Sequence, residues 1–358
     1  MIIKAKFLLL IFFTSVFSLV LLSVFITLGS IQTFTFFRQS FPVPLRTDSL
    51  TIEAPANFSE EIIVESSPSV FENIHTDNNP NHVLRFINIG DWGNFDYVDT
   101  KVFRLIEKIY KEKGFTDLFT NGDNNYGDVK SFDEFMDKEL GFLLSSGVDM
   151  HMSLGNHDVE TKEKILNQTT NTLWGEWNCT ECLTQRSASA ENRYYSVWRD
   201  PVRFIILDTN LLLKNNTDHE VWMKKEIAAS VRGNEPWQIV IAHHPLFSSG
   251  IHGDSKLLQE KFKNYFTTSG IDLVLNGHDH FYERIKTSRM CGDGVLYVVN
   301  GGIKLRQGGA SVNDCTQAYW DQTPSFMYIE ASVEYLEGTA ISDDGQIIDT
   351  WKILRKKP

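Results

Sequence analysis

The sequence predicts an α/β fold, a sandwich of two mixed sheets flanked by helices, with its functional rim at the carboxyl ends of parallel strands. Three observations point there. Five apolar runs of strand length each end in a cluster of polar residues. Segments with apolar residues at spacings of three and four lie between several of these runs, which is the period of a helix with one buried face. Further strand-like runs follow, the later ones divided by hairpin-type turns such as DDGQ. Strand, polar cluster, helix, strand is the rhythm of a largely parallel sheet with covering helices, and ligands of such sheets sit beyond the strand carboxyl ends.

The elements take this order. LRFINIGDWGN reads as a strand ending at Asp91, and FTDLFTNGDNNY as one ending at Asp123 and Tyr126. The helical segments DTKVFRLIEKIYKEKG and SFDEFMDKELGFLL follow them in turn. VDMHMSLGNHD ends at Asn156 and His157, WQIVIAHHP at His243 and His244, and IDLVLNGHDH at His278 and His280. HEVWMKKEIAAS and DSKLLQEKFKNYFTT are the helices on either side of the fourth run. GVLYVVNGG, SFMYIEAS, YLEGTAIS and IIDTWKIL complete the strands and make a two-sheet sandwich.

With 358 residues, 42% of them hydrophobic, the chain can bury a large core. A net charge of −12, from 46 acidic and 34 basic residues, excludes a general nucleic-acid binder, which needs a basic face. From Phe7 to Gly29 there is no charge, behind Lys4 and Lys6. That length favours an uncleaved membrane anchor over a signal peptide, although Thr27 and Gly29 also suit a cleavage site. Either way the remainder is expected on the luminal or extracellular side, anchored or secreted. Residues 31–81 read as a stalk and 82–358 as the globular domain, expected to be a monomer. Sequons at Asn57, Asn167, Asn178 and Asn215, and the even set Cys179, Cys182, Cys291 and Cys315, fit a glycosylated, disulfide-bonded protein. The four cysteines allow three pairings.

The residues that converge on the rim are aspartate, tyrosine, asparagine and histidine, oxygen and nitrogen donors for hard or borderline metals. Any one cluster reads equally well as ordinary loop polars. Five together, all at the expected rim, favour a metal site.

The ordered series GDWG, GDNNY, GNHD, VIAH and GHDH resembles the five-block signature of the purple acid phosphatases, within the metallophosphoesterases, across roughly His82 to Lys352. Its size and wording are similar to the small tartrate-resistant type, while GHDHFYER also resembles the larger plant-type enzymes. Most of the wider superfamily has Asp-x-His in the first block, whereas this chain has Asp91-Trp92-Gly93 and no donor at the third position. The resemblance implies that Tyr126 fills that place. A phenol titrates at about 10, so its ionisation at acidic pH calls for ferric iron.

The same resemblance implies a first metal on Asp91, Asp123, Tyr126 and His280, and a second, divalent one (Fe, Zn or Mn) on Asn156, His243 and His278, with Asp123 bridging. It implies His252 as proton donor and His157 as the histidine that orients phosphate. The implied activity is acid phosphatase: hydrolysis of phosphate monoesters by metal-bound hydroxide. A phosphodiesterase or pyrophosphate hydrolase is the alternative within enzymes, and an iron-carrying or surface-binding protein the alternative outside them. His244 is expected to face solvent, Lys304 and Arg306 to be solvated rim charges, and His75, His82, His151 and His219 to be structural.

Overall fold

Alternate residues of one strand face different cores here, which is why the strands read as near-continuous apolar runs. In strand β1 (Leu84–Ile89) of the computed structural model, Leu84 and Phe86 enter a central core, while Ile87 and Ile89 enter a second one under helices. The chain divides into two units, Met1–Val64 and Glu65–Pro358. The residues the structure describes are 82–93, 100–170, 186–189, 191–233, 236–303 and 312–355, all in the second unit. The N-terminal apolar segment, the stalk, Asn57, Asn178, Cys179, Cys182, His75, Lys304 and Arg306 lie outside the described residues.

The first sheet joins β1 to β2 (Asp117–Thr120) and β3 (Asp149–Met152) in parallel. The second contains β4 (Arg186–Ala188), β5 (Tyr195–Arg199), β6 (Val202–Leu207), β7 (Trp237–Ala242), β8 (Leu273–Asn276), β9 (Tyr282–Ile285), β10 (Leu296–Asn300) and β11 (Thr316–Trp320), in spatial order β11-β9-β10-β8-β7-β6-β5-β4. Strands β12 (Ser325–Ala331), β13 (Tyr335–Ser342) and β14 (Ile347–Leu354) return antiparallel to complete the first sheet as β14-β13-β12-β1-β2-β3. Within the second sheet β6, β7, β8 and β10 run parallel and the outer strands antiparallel, so both sheets are mixed.

Phe86, Phe119 and Phe204 stack between the sheets, with ring centroids 5.4, 5.1 and 4.1 Å apart. Helices cover the outer faces: α1 (Lys101–Lys113), α2 (Val129–Phe135, continued by a π turn at Met136–Leu140 and a last turn at Gly141–Ser145), α3 (Lys162–Thr170), α4 (Thr209–Leu213), α5 (Thr217–Gly233) and α6 (Lys256–Leu258, continued through Gln259–Lys263 and Asn264–Thr268). Val102, Phe103, Ile106 and Ile109 make the buried stripe of α1. That helix stops where Gly114, at φ 73°, donates its N–H to Tyr110 O.

The five-run pattern does not include β6, which is fully buried but ends in Asp-Thr-Asn rather than in a ligand cluster. Nor does it include β4, β5, β9 and β11, or the helices α3 and α4. Cys291 and Cys315 form a disulfide. Among the described residues no helix is long and apolar enough to cross a membrane.

Candidate metal centre

The carboxyl ends of β1, β2, β3, β7 and β8 meet at one rim, and the backbone there is held in unusual conformations. Asp91, Asp123 and His278 have φ of 54°, 51° and 74°, the left-handed region that costs a non-glycine residue about 1–3 kcal/mol. A mesh of main-chain bonds holds it. Asp91 N–H donates to Gly122 O, Gly93 N–H to Asp123 O and Tyr126 N–H to Gly93 O, each at 3.1 Å. His278 N–H donates to Asp91 Oδ2 at 2.8 Å, drawing the two sheets together. The neighbouring glycines stand where no side chain fits: a Cβ at Gly155 would lie 2.1 Å from Asp123 Oδ1, and one at Gly277 2.4 Å from Asp91 Oδ2.

On this frame every residue expected to bind metal faces the same small volume. Tyr126 Oη donates to Asp91 Oδ1 at 3.2 Å and lies 3.3 Å from His280 Nε2, which is 3.5 Å from Asp91 Oδ1. Beside this group, His243 Nε2 is 3.4 Å from Asp123 Oδ1, 3.0 Å from Asn156 Oδ1 and 3.2 Å from His278 Nδ1, and His278 Nδ1 is 3.1 Å from Asn156 Oδ1. Ligands about 2.1 Å from one ion sit about this far from each other, so the donor set fits a metal. Asp91, Asp123 and His243 alone bring ligand atoms within 4.8 Å of one another.

The electrostatics of the protein alone point the same way. Burial raises Asp91 well above the usual carboxylate range, against the pull of His243, and Asp123 adds to the rise. Burial also works to raise Asp123, but His243 and the His157 amide outweigh it and hold it below its usual value. The Tyr126 phenol is pushed far up by burial and by both aspartates. His278 is pushed far down by burial and by His243, and so is a neutral donor. Two buried carboxyls, a phenol and three imidazoles at this spacing suit a cation; one there would bring Asp91 and Tyr126 down and hold Asp123 lower still.

The expected catalytic histidines flank the cluster. The His157 amide donates to Asp123 Oδ1 at 2.9 Å, and its ring lies against Tyr126 with centroids 4.3 Å apart. His252 is exposed at the rim, its ring 4.2 Å from that of His278. His244 corrects an expectation. It is half-buried rather than solvent-facing, because Thr209 Oγ1 holds its Nδ1 at 2.7 Å and its ring packs 4.5 Å from His278. Burial, and next to it His243, lowers its pKa to about 3. His151 and His219 are buried, His151 on Asp117 at 2.8 Å and His219 stacked on Tyr194 at 3.8 Å.

Sequence reasoning passed over the residues that build this frame. Asp158, buried and pushed up to about 7 by burial and then by Asp123, accepts from the backbone of Gly155, Asn124 and Asn125 and so locks two ligand loops together. Asp279 does the same for the His252 loop, accepting from Ser248 Oγ at 2.5 Å and His252 N at 3.4 Å. Beneath the site, Asn121 Nδ2 donates to Asn88 Oδ1 at 3.0 Å and to Asn276 O at 2.9 Å, while Asn300 Nδ2 donates to Asn88 O at 3.0 Å. This buried asparagine network joins the two sheets. Its available signal was the repeated Asn-Gly at 121–122, 276–277 and 300–301, each closing an apolar run.

The profile of the calcineurin-like phosphoesterases matches residues 84–282. Purple acid phosphatase 4 of Arabidopsis thaliana is 25% identical over 244 residues, covering 63% of this chain and 69% of its own. Purple acid phosphatases 21 and 15 of Arabidopsis thaliana and the phosphoenolpyruvate phosphatase of Allium cepa are matched over half their length or less. The purple acid phosphatase PPD1 from yellow lupin (Lupinus luteus) seeds superposes with a TM-score of 0.61 at 21% identity, over 76% of this chain and 54% of that one. GAP50, the anchor in the inner membrane complex of Plasmodium, superposes at 0.60 and 18% identity, over 77% of this chain and 90% of that one.

Proposed function

This chain belongs to the calcineurin-like phosphoesterase family, and from that premise we propose that it is an acid phosphatase of the purple type, acting on phosphate monoesters. The observation that carries the reading is the undivided donor set, with Tyr126 Oη beside both Asp91 Oδ1 and His280 Nε2. Asp91, Tyr126, His280 and Asp123 would hold ferric iron, and Asn156, His243, His278 and Asp123 a divalent ion. When bound, such a pair supplies an acidified water and a Lewis acid for phosphate oxygens.

The chain's own residues do the rest. The His157 ring, beside Tyr126, is placed to meet a non-bridging phosphate oxygen. The exposed His252 ring, over His278, is placed to give a proton to the departing alkoxide oxygen. Asp279 fixes the backbone that carries His252. The strained Asp91, Asp123 and His278 backbones keep their side chains converging before any ion arrives.

A second reading, a membrane anchor without catalysis, draws on the uncharged N-terminal stretch and on the likeness in fold to GAP50. Under both readings the domain lies outside the cytosol, anchored or released, and N-glycans on the protein would agree. One experiment separates the readings: metal analysis and a visible spectrum of the purified protein, with turnover on an aryl phosphate and a bis-aryl phosphate. Two metals per chain, a visible band and preference for the monoester are expected. A colourless, iron-free, active protein would remove the ferric assignment, preference for the diester would favour a phosphodiesterase, and an inactive protein would favour the anchor.

A further inference from the structure

Glu160 lies two residues beyond the GNHD block, and neither its motif nor its exposure marks it. Yet its carboxylate stands between two groups of the site. Glu160 Oε1 is 2.7 Å from His157 Nδ1, and Oε2 accepts from Lys164 Nζ at 2.8 Å. Lys164 is itself buried, and its ammonium also donates to Asn125 O at 3.1 Å and His157 O at 3.2 Å, so it is anchored to both ligand loops. The carboxylate is thus fixed from behind. The Lys164 hydrogen bond, helped by the one to His157, holds it below the usual glutamate range against the opposing effect of burial. An ionised carboxylate only accepts, so the bonded imidazole nitrogen must carry the proton. Nε2, the other ring nitrogen, points toward the centre, 4.0 Å from Asp123 Oδ2.

We propose that Glu160, braced by Lys164, is a positioning residue that holds His157 through its Nδ1–H, with Nε2 turned to the phosphate. The proposal rests on the phosphatase reading above. With Nδ1 held on Glu160, Nε2 is the ring nitrogen left to meet a phosphate oxygen, donating its proton to that oxygen when the ring is protonated and accepting from a P–OH when it is not. A ring released from Glu160 populates both tautomers and other rotamers, and so meets the phosphate in that way for only part of the time. The pairing contributes little to stability, because the Glu160 carboxylate is 47% exposed.

Two variants of the full-length protein test this. Glu160→Ala is expected to raise KM for an aryl phosphate, and the inhibition constant for inorganic phosphate, about tenfold, in the range seen for such supporting groups. Metal content, Tm and kcat should stay close to wild type. Glu160→Gln keeps an oxygen acceptor and should recover most of the loss. In a His157→Ala background, Glu160→Ala should add nothing. A purely structural role would instead lower Tm and kcat in both variants and persist without His157, which would overturn the proposal. In histidine-15N-labelled protein, at a pH high enough that the ring is neutral, His157 should appear as the Nδ1–H tautomer and become mixed in Glu160→Ala. That spectrum needs no turnover, so it decides the geometry even if the wild type proves inactive and the phosphatase reading fails. An Nε2–H tautomer in the wild type would end the proposal.

Discussion

The two halves of the donor cluster are built from the same kind of loop at the same kind of strand end, yet they differ in charge. Around Asp91 the protein gathers a carboxyl, a phenol and one imidazole. Around Asn156 it gathers an amide and two imidazoles. Asp123 stands between, close to His243 and coupled to Tyr126. A half that offers two ionisable oxygens favours a trivalent ion, and a half of neutral donors a divalent one. On the proposed assignment one rim would thus sort two ions by valence, because the asymmetry lies in the side chains rather than in the fold.

The change that tests the comparison most severely removes the residue common to both halves. Asp123→Ala should lose both metals and all activity. Two metals per chain in that variant, by elemental analysis, would mean that the halves are independent.

His252 belongs to neither half. Its replacement by alanine should leave both metals in place and lower turnover of an alkyl phosphate about 10²–10⁴-fold, with a smaller loss for a nitrophenyl ester whose leaving group needs little help. An equal loss on the two substrates would remove its role as proton donor.

Tyr126→Phe should touch the anionic half alone. The visible band should vanish and the remaining iron should become easier to reduce, while the divalent ion and part of the activity stay. Loss of the divalent ion in equal measure would erase the proposed asymmetry.

The mildest test concerns the loop that delivers the phenol. Gly93→Ala puts a Cβ 2.0 Å from Asn124 O and should cost about 1–3 kcal/mol, read as a lower Tm, with metal loss from the anionic half first. An unchanged Tm would show that the loop has slack.

Much of this was legible in the sequence because each ligand cluster is local: a strand-length run that stops at Asp91, Asp123, Asn156, His243 or His278 announces itself within about ten residues. What was not legible depends on partners distant in the chain. The run VRFIIL of β6 shares the core with β5 and β7 but carries no ligand, so a search for ligand-bearing strand ends passes over it. Asn88, inside the first run, and Asn300, at the end of a later one, show no sign of their pairing until the second sheet brings them into hydrogen-bonding range across 212 positions. His244 looks like a solvent-facing neighbour of His243 because nothing nearby reveals Thr209, 35 residues upstream.

The crowding at Gly93 has a consequence for how this site can vary. In this loop Gly93 O accepts the Tyr126 amide, and the space a side chain at 93 would need is filled by the Asn124 main chain. A histidine therefore cannot be introduced at position 93 while the 124–126 loop keeps its course, and on the proposed assignment removing the tyrosine alone would leave an ion one donor short. The two positions are epistatic: an exchange of histidine for tyrosine as the ligand must pass through a state with a displaced loop or an incomplete shell. If Tyr126 is the ligand, that choice is inherited with the loop's conformation, and single substitutions in either direction would be penalised before they could change the metal.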